Sequence, residues 1–423
     1  MIIDGGAYTS GSFGLEMGVG SGPSSTLTLN SGSATITTLK MNNTNGTINL
    51  NGGTLTASTV TLTAGTNRIN FNGGTYRLGA ATAGFSTFAS ATVQSLGAIF
   101  DTNGFSATIG QSLLDGGGGG GLTKNGSGTL TLGAAAAYTG ATAVNAGTLK
   151  FTGTAASTGF SIAPGAILEF YSTSATITNT ANATFTGTGT LRKSGANSLV
   201  WSSGAANFQL GSGALIDAQG GTFTGGSTAN EVWTSNLSDL NVAGGATFAG
   251  VEANVRVDAI TGTGTIATGY SGAGYQRFTI GVDNGSSTFD GIVTNGSSTG
   301  NLTKEGTGTI TLTGVNTYTG STTVNGGTLV LSGARTAASG TITVSNTTGT
   351  AAALNITAGT YALGGNSFSV GAAPTTAATG TVNQTGGAVT FTSGNALLIG
   401  NGSGSGATGI YNLSGGSITT FAS

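Results

Sequence analysis

Any chemistry this chain performs must run on carboxylates. The sequence has no His and no Cys, which removes imidazole-based triads, thiolate nucleophiles, disulfides and the common nitrogen and sulfur metal ligands. Thirteen acidic side chains remain against eleven basic ones in 423 residues, and they are scattered. One stretch gathers them. In Glu252-Ala253-Asn254-Val255-Arg256-Val257-Asp258 the even positions are polar and the odd ones apolar, so on a strand Glu252, Arg256 and Asp258 project from one face. Clustered acids supported by an Arg are what a polysaccharide-cleaving or calcium-binding patch requires, and a solvated ion-pair face is the plainer reading. Tyr270, Tyr275 and Phe278 beside Arg277 form a group that could stack on sugar rings, with interior packing as the alternative, and Trp201 and Trp233 are expected to fill wide parts of a core. Gly404-Ser405-Gly406-Ala407-Thr408-Gly409 fits the dinucleotide pattern, but a strand-like Ile410-Tyr411-Asn412-Leu413 and a turn follow it instead of a helix. No Gly-Lys step, Asp-x-Asp series or calcium-roll repeat occurs. The expectation is a protein that is not an enzyme, with no catalytic, cofactor-binding or metal residues.

What would position such groups is written in the composition. Eighty Gly with three Pro is not collagen-like, and 37% hydrophobic with 6% charged residues argues against disorder. The net charge of −2, with Arg192-Lys193 as the longest basic run, makes nucleic acid and anionic membrane poor partners. Met1-Ile2-Ile3-Asp4 carries no signal-peptide pattern, and Ile418 to Ser423 ends without a barrel or anchor. Both ends read as cut, so residues 1–423 are expected to be a fragment of one solenoid, with no signal peptide or barrel in it.

Internal repetition is the strongest signal. Leu29-Asn30-Ser31-Gly32, Leu50-Asn51-Gly52-Gly53 and Phe71-Asn72-Gly73-Gly74 follow one another at equal intervals, each an apolar residue before a tight turn and an alternating strand. In Thr129-Leu130-Thr131-Leu132 and Thr309-Ile310-Thr311-Leu312 every second residue is apolar, giving one dry and one wet face. The spacing predicts an all-β fold, a right-handed parallel β-helix of about 20–22 residues per coil, with a hairpin array as the alternative. The run Gly116 to Gly121 reads as a mobile loop at a corner.

Two longer segments align with each other without a gap. Leu122-Thr123-Lys124-Asn125-Gly126-Ser127-Gly128-Thr129, Tyr138-Thr139-Gly140 and Gly147-Thr148-Leu149 match Leu302-Thr303-Lys304-Glu305-Gly306-Thr307-Gly308-Thr309, Tyr318-Thr319-Gly320 and Gly327-Thr328-Leu329. This pattern resembles the autotransporter-associated β-strand repeat, also called the passenger-associated transport repeat. The units span 122–149 and 302–329, with a degenerate copy at 191–201 around Lys193 and a different unit at 381–419, where Val382-Asn383-Gln384-Thr385-Gly386-Gly387 recurs as Tyr411-Asn412-Leu413-Ser414-Gly415-Gly416. Ala134 to Ala137 replace Gly314-Val315-Asn316-Thr317 in the first copy, a change expected to cost one turn its side-chain bonds. Lys124 and Lys304, the only charges shared by both copies, are expected to point outward and discourage edge-to-edge association. The resemblance implies a structural or adhesive passenger at the surface of a Gram-negative-type bacterium or secreted from it, exported through an outer-membrane translocation barrel and facing surface glycans, a host or a neighbouring cell. A carbohydrate-active β-helix is the alternative.

Overall fold

In the computed structural model the described residues are 1–18, 24–42, 45–62, 65–85, 87–201, 206–224, 233–250, 254–269, 276–345, 351–364, 367–372, 379–391, 397–400 and 406–420. They form parallel strands stacked as a β-solenoid, and the single helical element among them is one turn of 3-10 helix at Ala81–Ala83. The chain divides into two compact units, residues 1–194 with 201–204, and residues 195–200 with 205–423.

In the first unit, Leu27 stacks on Ile48, Ile48 on Ile69 and Ile69 on Ala91, while Leu29, Leu50, Phe71 and Val93 make the adjacent interior column. All eight are fully buried, each large apolar side chain contributing about 1.5–3 kcal/mol. The outward residues between them form polar ladders: Asn51 donates to Asn30 at 2.9 Å and Asn70 to Asn49 at 2.8 Å. The interval from Leu29 to Leu50 is therefore one coil, and the parallel register excludes a hairpin array. Further along, Phe151 stacks on Phe170 at 5.3 Å and Phe160 on Phe185 at 5.0 Å, with Trp201 edge-on to Phe170 and Phe185.

In the second unit a ladder beginning at Leu215–Ala218 and ending at Thr408–Leu413 runs through nine strands. A second ladder starts at Val255–Val257 and ends at Leu397–Ile399. Trp233 lies inside, stacked on Phe208 at 4.1 Å, and Phe278 is fully buried. Both Trp and Phe278 are thus core residues, while Tyr270 and Tyr275 lie outside the described residues. The coil length is less uniform than the sequence predicts. Thr129 pairs with Thr148, whereas Val382 pairs with Tyr411, a coil half as long again. Parallel pairing fixes which strands meet, and the connections between them absorb the difference.

The glycine run 116–121 occupies a corner that is exposed at Gly116 to Gly119, with nothing within 4 Å of a Cβ on Gly117 or Gly119, and packed at its end. A Cβ on Gly120 would stand 1.7 Å from the Gln94 carbonyl oxygen, and the Gly120 carbonyl accepts the Gly140 N–H at 3.2 Å.

Candidate functional site

The repeat lysines point inward. Lys124, Lys193 and Lys304 are all fully buried, which overturns the expectation of outward, edge-protecting charges. The alternation of the strands places them there. In Leu122–Asn125, Leu122 and Lys124 share the interior face, and Lys124 lies between Phe100 of the preceding coil and Val144 of the next. In Asn301–Lys304 the neighbours of Lys304 are Ile280 and Val324. A four-carbon stem extends the apolar column, and the ammonium at its end must find oxygen.

It finds the turn. The Lys124 Nζ donates to the carbonyls of Asn125 at 3.0 Å, Gly126 at 2.7 Å and Ala146 at 2.9 Å, and to the Thr102 hydroxyl at 3.1 Å. Thr102 belongs to the coil before and Ala146 to the coil after, so one side chain ties three coils together. Lys304 repeats the arrangement with Glu305, Gly306 at 3.2 Å and Gly326 at 3.3 Å. In the degenerate copy, the Lys193 Nζ donates to the Ser194 carbonyl at 2.8 Å. Gly-x-Gly makes the cage. Gly126 and Gly306 take positive φ, 78° and 62°, and each turns its carbonyl toward the ammonium at little steric cost.

Gln384 of the C-terminal unit builds the same clamp without a charge. Fully buried, its Nε2 donates to Gly387 of its own turn at 3.2 Å and to Ser417 of the next coil at 3.1 Å, while its Oε1 accepts the Tyr411 hydroxyl at 2.6 Å.

Buried Asn residues clamp in the opposite direction. The Oδ1 of Asn67 accepts the Gly46 N–H at 2.7 Å, that of Asn179 the Ala155 N–H at 2.8 Å and that of Asn316 the Val293 N–H at 2.9 Å, each donor lying one coil earlier. Ala136 stands where the second repeat has Asn316 and has no side-chain acceptor to offer, which is the lost turn chemistry that the Ala134 to Ala137 segment predicts. Asn316→Leu is expected to strand a buried N–H and destabilise the coil by about 1–3 kcal/mol. Faster hydrogen exchange at Val293, with no change at Ile310 on another ladder, would be its signature.

The Tyr-Thr-Gly half of the repeat is also interior. Tyr138 and Tyr318 are buried, and each hydroxyl meets that of the Thr four residues on, Thr142 or Thr322, at 2.8 Å. Arg335 adds a cation inside the second unit, over the Tyr318 ring at 5.1 Å and donating to the Thr322 hydroxyl at 2.9 Å.

Burial pushes the ammonium groups of Lys124, Lys193 and Lys304 down to about 8, against the pull of Asp101 on Lys124 and of Asp258 and Glu305 on Lys304. Between that value and the ordinary 10.5 the unfolded chain holds protons that the folded chain has released, so stability rises with pH across this window. The gain is at most about 3 kcal/mol per lysine. Burial raises the Tyr76, Tyr138 and Tyr361 hydroxyls well above their ordinary 10. Above pH 10 the unfolded state alone loses those protons, and stability falls. Denaturant titrations at a series of pH values are expected to show a maximum near pH 10, and a flat profile from neutral pH to that point would contradict the assignment.

The acidic face does not assemble as the alternation predicts. Glu252 lies outside the described residues. Arg256 pairs with Glu305 at 3.0 Å. Asp258 falls just beyond the strand Val255–Val257, is buried, and accepts the backbone N–H groups of Asp283 at 2.8 Å and Gly285 at 2.9 Å. The corner that follows Val257 turns it away from the face that Arg256 occupies. Asp239 nearby is raised by burial and by the Asp258 and Asp283 carboxylates. Among the described residues no group of three or more acidic side chains is placed to hold a metal ion.

The described strands thus form a parallel β-solenoid whose repeated turns close over buried lysines. The family model described as Passenger-associated-transport-repeat matches residues 122–151 and 302–331, the two segments that hold the Lys124 and Lys304 cages. No curated protein and no solved structure matches the chain.

Proposed function

We propose that this chain is a passenger segment that stands outside the cell, on the surface of a Gram-negative-type bacterium or released from it, and that its role is structural and adhesive, without catalysis. The observation that carries this reading is the pair of transport repeats set into a parallel stack, each with its lysine enclosed by two or three coils. An ammonium caged by carbonyls is a register device. A slip of two residues would keep the charge buried but remove its acceptors on the neighbouring coils, at a cost of several kcal/mol, and a slip of one would turn the apolar column outward. A chain that folds after crossing a membrane gains from turns that reject the wrong neighbour.

The exposed side of the stack supports the adhesive half of the proposal. It presents Thr, Ser and Asn on regular ladders, including Asn355, Asn383 and Asn412 linked at 2.9 and 2.8 Å. Surface glycans and neighbouring cells are the partners proposed, and an outer-membrane barrel the route of export. Protease shaving of intact host cells expressing the whole gene tests the location: peptides from 122–151 and 302–331 should be released without lysis, and their retention inside unlysed cells would refute it.

A further inference from the structure

The Asn-Gly step, which recurs along this chain, carries a chemistry of its own. The glycine nitrogen can attack the side-chain amide of the asparagine before it, since glycine has no Cβ to obstruct the cyclic imide that forms. Attack requires a glycine N–H that is not held in a hydrogen bond, room for the ring, and a group to take up the charge that develops on the amide oxygen. Most described steps fail at the first requirement. The N–H of Gly52 donates to Leu29, that of Gly73 to Gly97, that of Gly285 to Asp258 and that of Gly296 to Thr268. Gly326 is buried, and Gly126 is packed on the coil before it, a Cβ there standing 2.6 Å from the Asn103 nitrogen.

Asn103-Gly104 meets all three requirements. Asn103 and Gly104 take φ of 50° and 83°, and the Phe105 N–H donates to the Thr102 carbonyl at 2.8 Å, which are the φ values and the bond of a type I′ turn. That bond bypasses the central peptide, so the Gly104 N–H donates to no described residue, and both central residues are exposed. The Oδ1 of Asn103 accepts Nη2 of Arg77 at 2.6 Å. A guanidinium bond strengthens as its acceptor gains negative charge. The departing group is held less closely, with Nδ2 donating to the Leu78 carbonyl at 3.2 Å.

We propose that Asn103-Gly104 is a built-in modification site, at which the folded chain converts its own amide to a carboxylate. The Gly104 nitrogen bonds to Cγ of Asn103, its proton passes through water to Nδ2, and the Cγ–Nδ2 bond breaks with release of ammonia. A second step consumes one water molecule, which opens the imide at either carbonyl and leaves aspartate or isoaspartate. No oxidant or metal enters the balance. The aspartate product sets a new carboxylate beside Arg77, which already faces Asp101 at 3.2 Å. The test is incubation of the purified full chain in mildly alkaline buffer, folded or in denaturant, with peptide mass spectrometry of each Asn-Gly step over time. In the folded chain, conversion at Asn103 is expected to run several-fold faster than at Asn51, Asn72, Asn284 and Asn295, and the preference should vanish in denaturant. Arg77→Met, shown to be folded by far-ultraviolet circular dichroism, should slow Asn103 several-fold and leave Asn284 unchanged. Rates at Asn103 no faster than at the bonded steps, a preference that persists in denaturant, or an Arg77→Met chain that converts as fast as the wild type would each overturn the proposal. None of these results bears on the shaving experiment or the passenger reading.

Discussion

Lys304→Met should open the corner at residues 305–308 and 326, while Lys304→Gln should keep it closed. Methionine preserves the length and apolar stem of the interior column but offers no donor, so the carbonyls of Glu305, Gly306 and Gly326 lose their common partner. Each buried carbonyl left unsatisfied costs about 1–3 kcal/mol, and relief of the buried charge returns part of that, so a net loss of about 3 kcal/mol is expected. Gln384 shows that a neutral amide can span the same distance, from its own turn to that of the next coil. The cage needs donors more than charge. Lys304→Gln is therefore expected to cost less than about 1 kcal/mol and to remove its share of the rise in stability between pH 8 and 10.5. Because stability in a solenoid is a sum over coils and their neighbours, local hydrogen exchange at Thr328 and Val324 is a better readout than a global melting curve. Equal protection in wild type and Lys304→Met would refute the clamp.

A larger loss is expected from Gly128→Ala, and from Gly308→Ala in the other repeat. A Cβ on Gly128 would lie 1.7 Å from the Phe105 carbonyl oxygen, and one on Gly308 2.1 Å from that of Gly285. Both obstacles are backbone, and that backbone is held by its own coil. Relief requires the coils to separate at the turn that forms the lysine cage, so a cost of about 4 kcal/mol or more is expected, at the exceptional end for single substitutions. Gly117 provides the control. It has φ of 82° but nothing within 4 Å of its Cβ position, so Gly117→Ala carries backbone strain alone, about 1–2 kcal/mol. Unfolding midpoints of the variants in one denaturant series would check the order, and a Gly128→Ala chain as stable as Gly117→Ala would contradict it.

Much of the fold is legible in the residues. The even spacing of Leu29, Leu50 and Phe71 is the coil, and the alignment of Val382 with Tyr411 is a pairing found in register. Alternation also gives the interior columns, because a period of two has only two faces. The lysines show where that reasoning stops. Alternation itself assigns Lys124 to the side of Leu122, but the habit of placing charges in water argues the other way. What decides between them is a set of backbone carbonyls contributed by the turns at Gly126 and Ala146, and carbonyls have no letter in a sequence. The usable signal was the Gly-x-Gly that follows closely on Lys124 and Lys304, a turn able to aim its oxygens inward. The same blindness applies to Asp258. Its place after the last strand residue, with the corner N–H groups of Asp283 and Gly285 within reach, depends on where Val255–Val257 ends.

The coil from Val382 to Tyr411 is much longer than the coil from Thr129 to Thr148, yet strand pairing is maintained across both. The strands hold register while the connections change size, so the stack separates what must stay fixed in geometry from what is free to vary. Length can thus change in connections that carry no lysine cage, on a backbone that need not be redesigned to accept it.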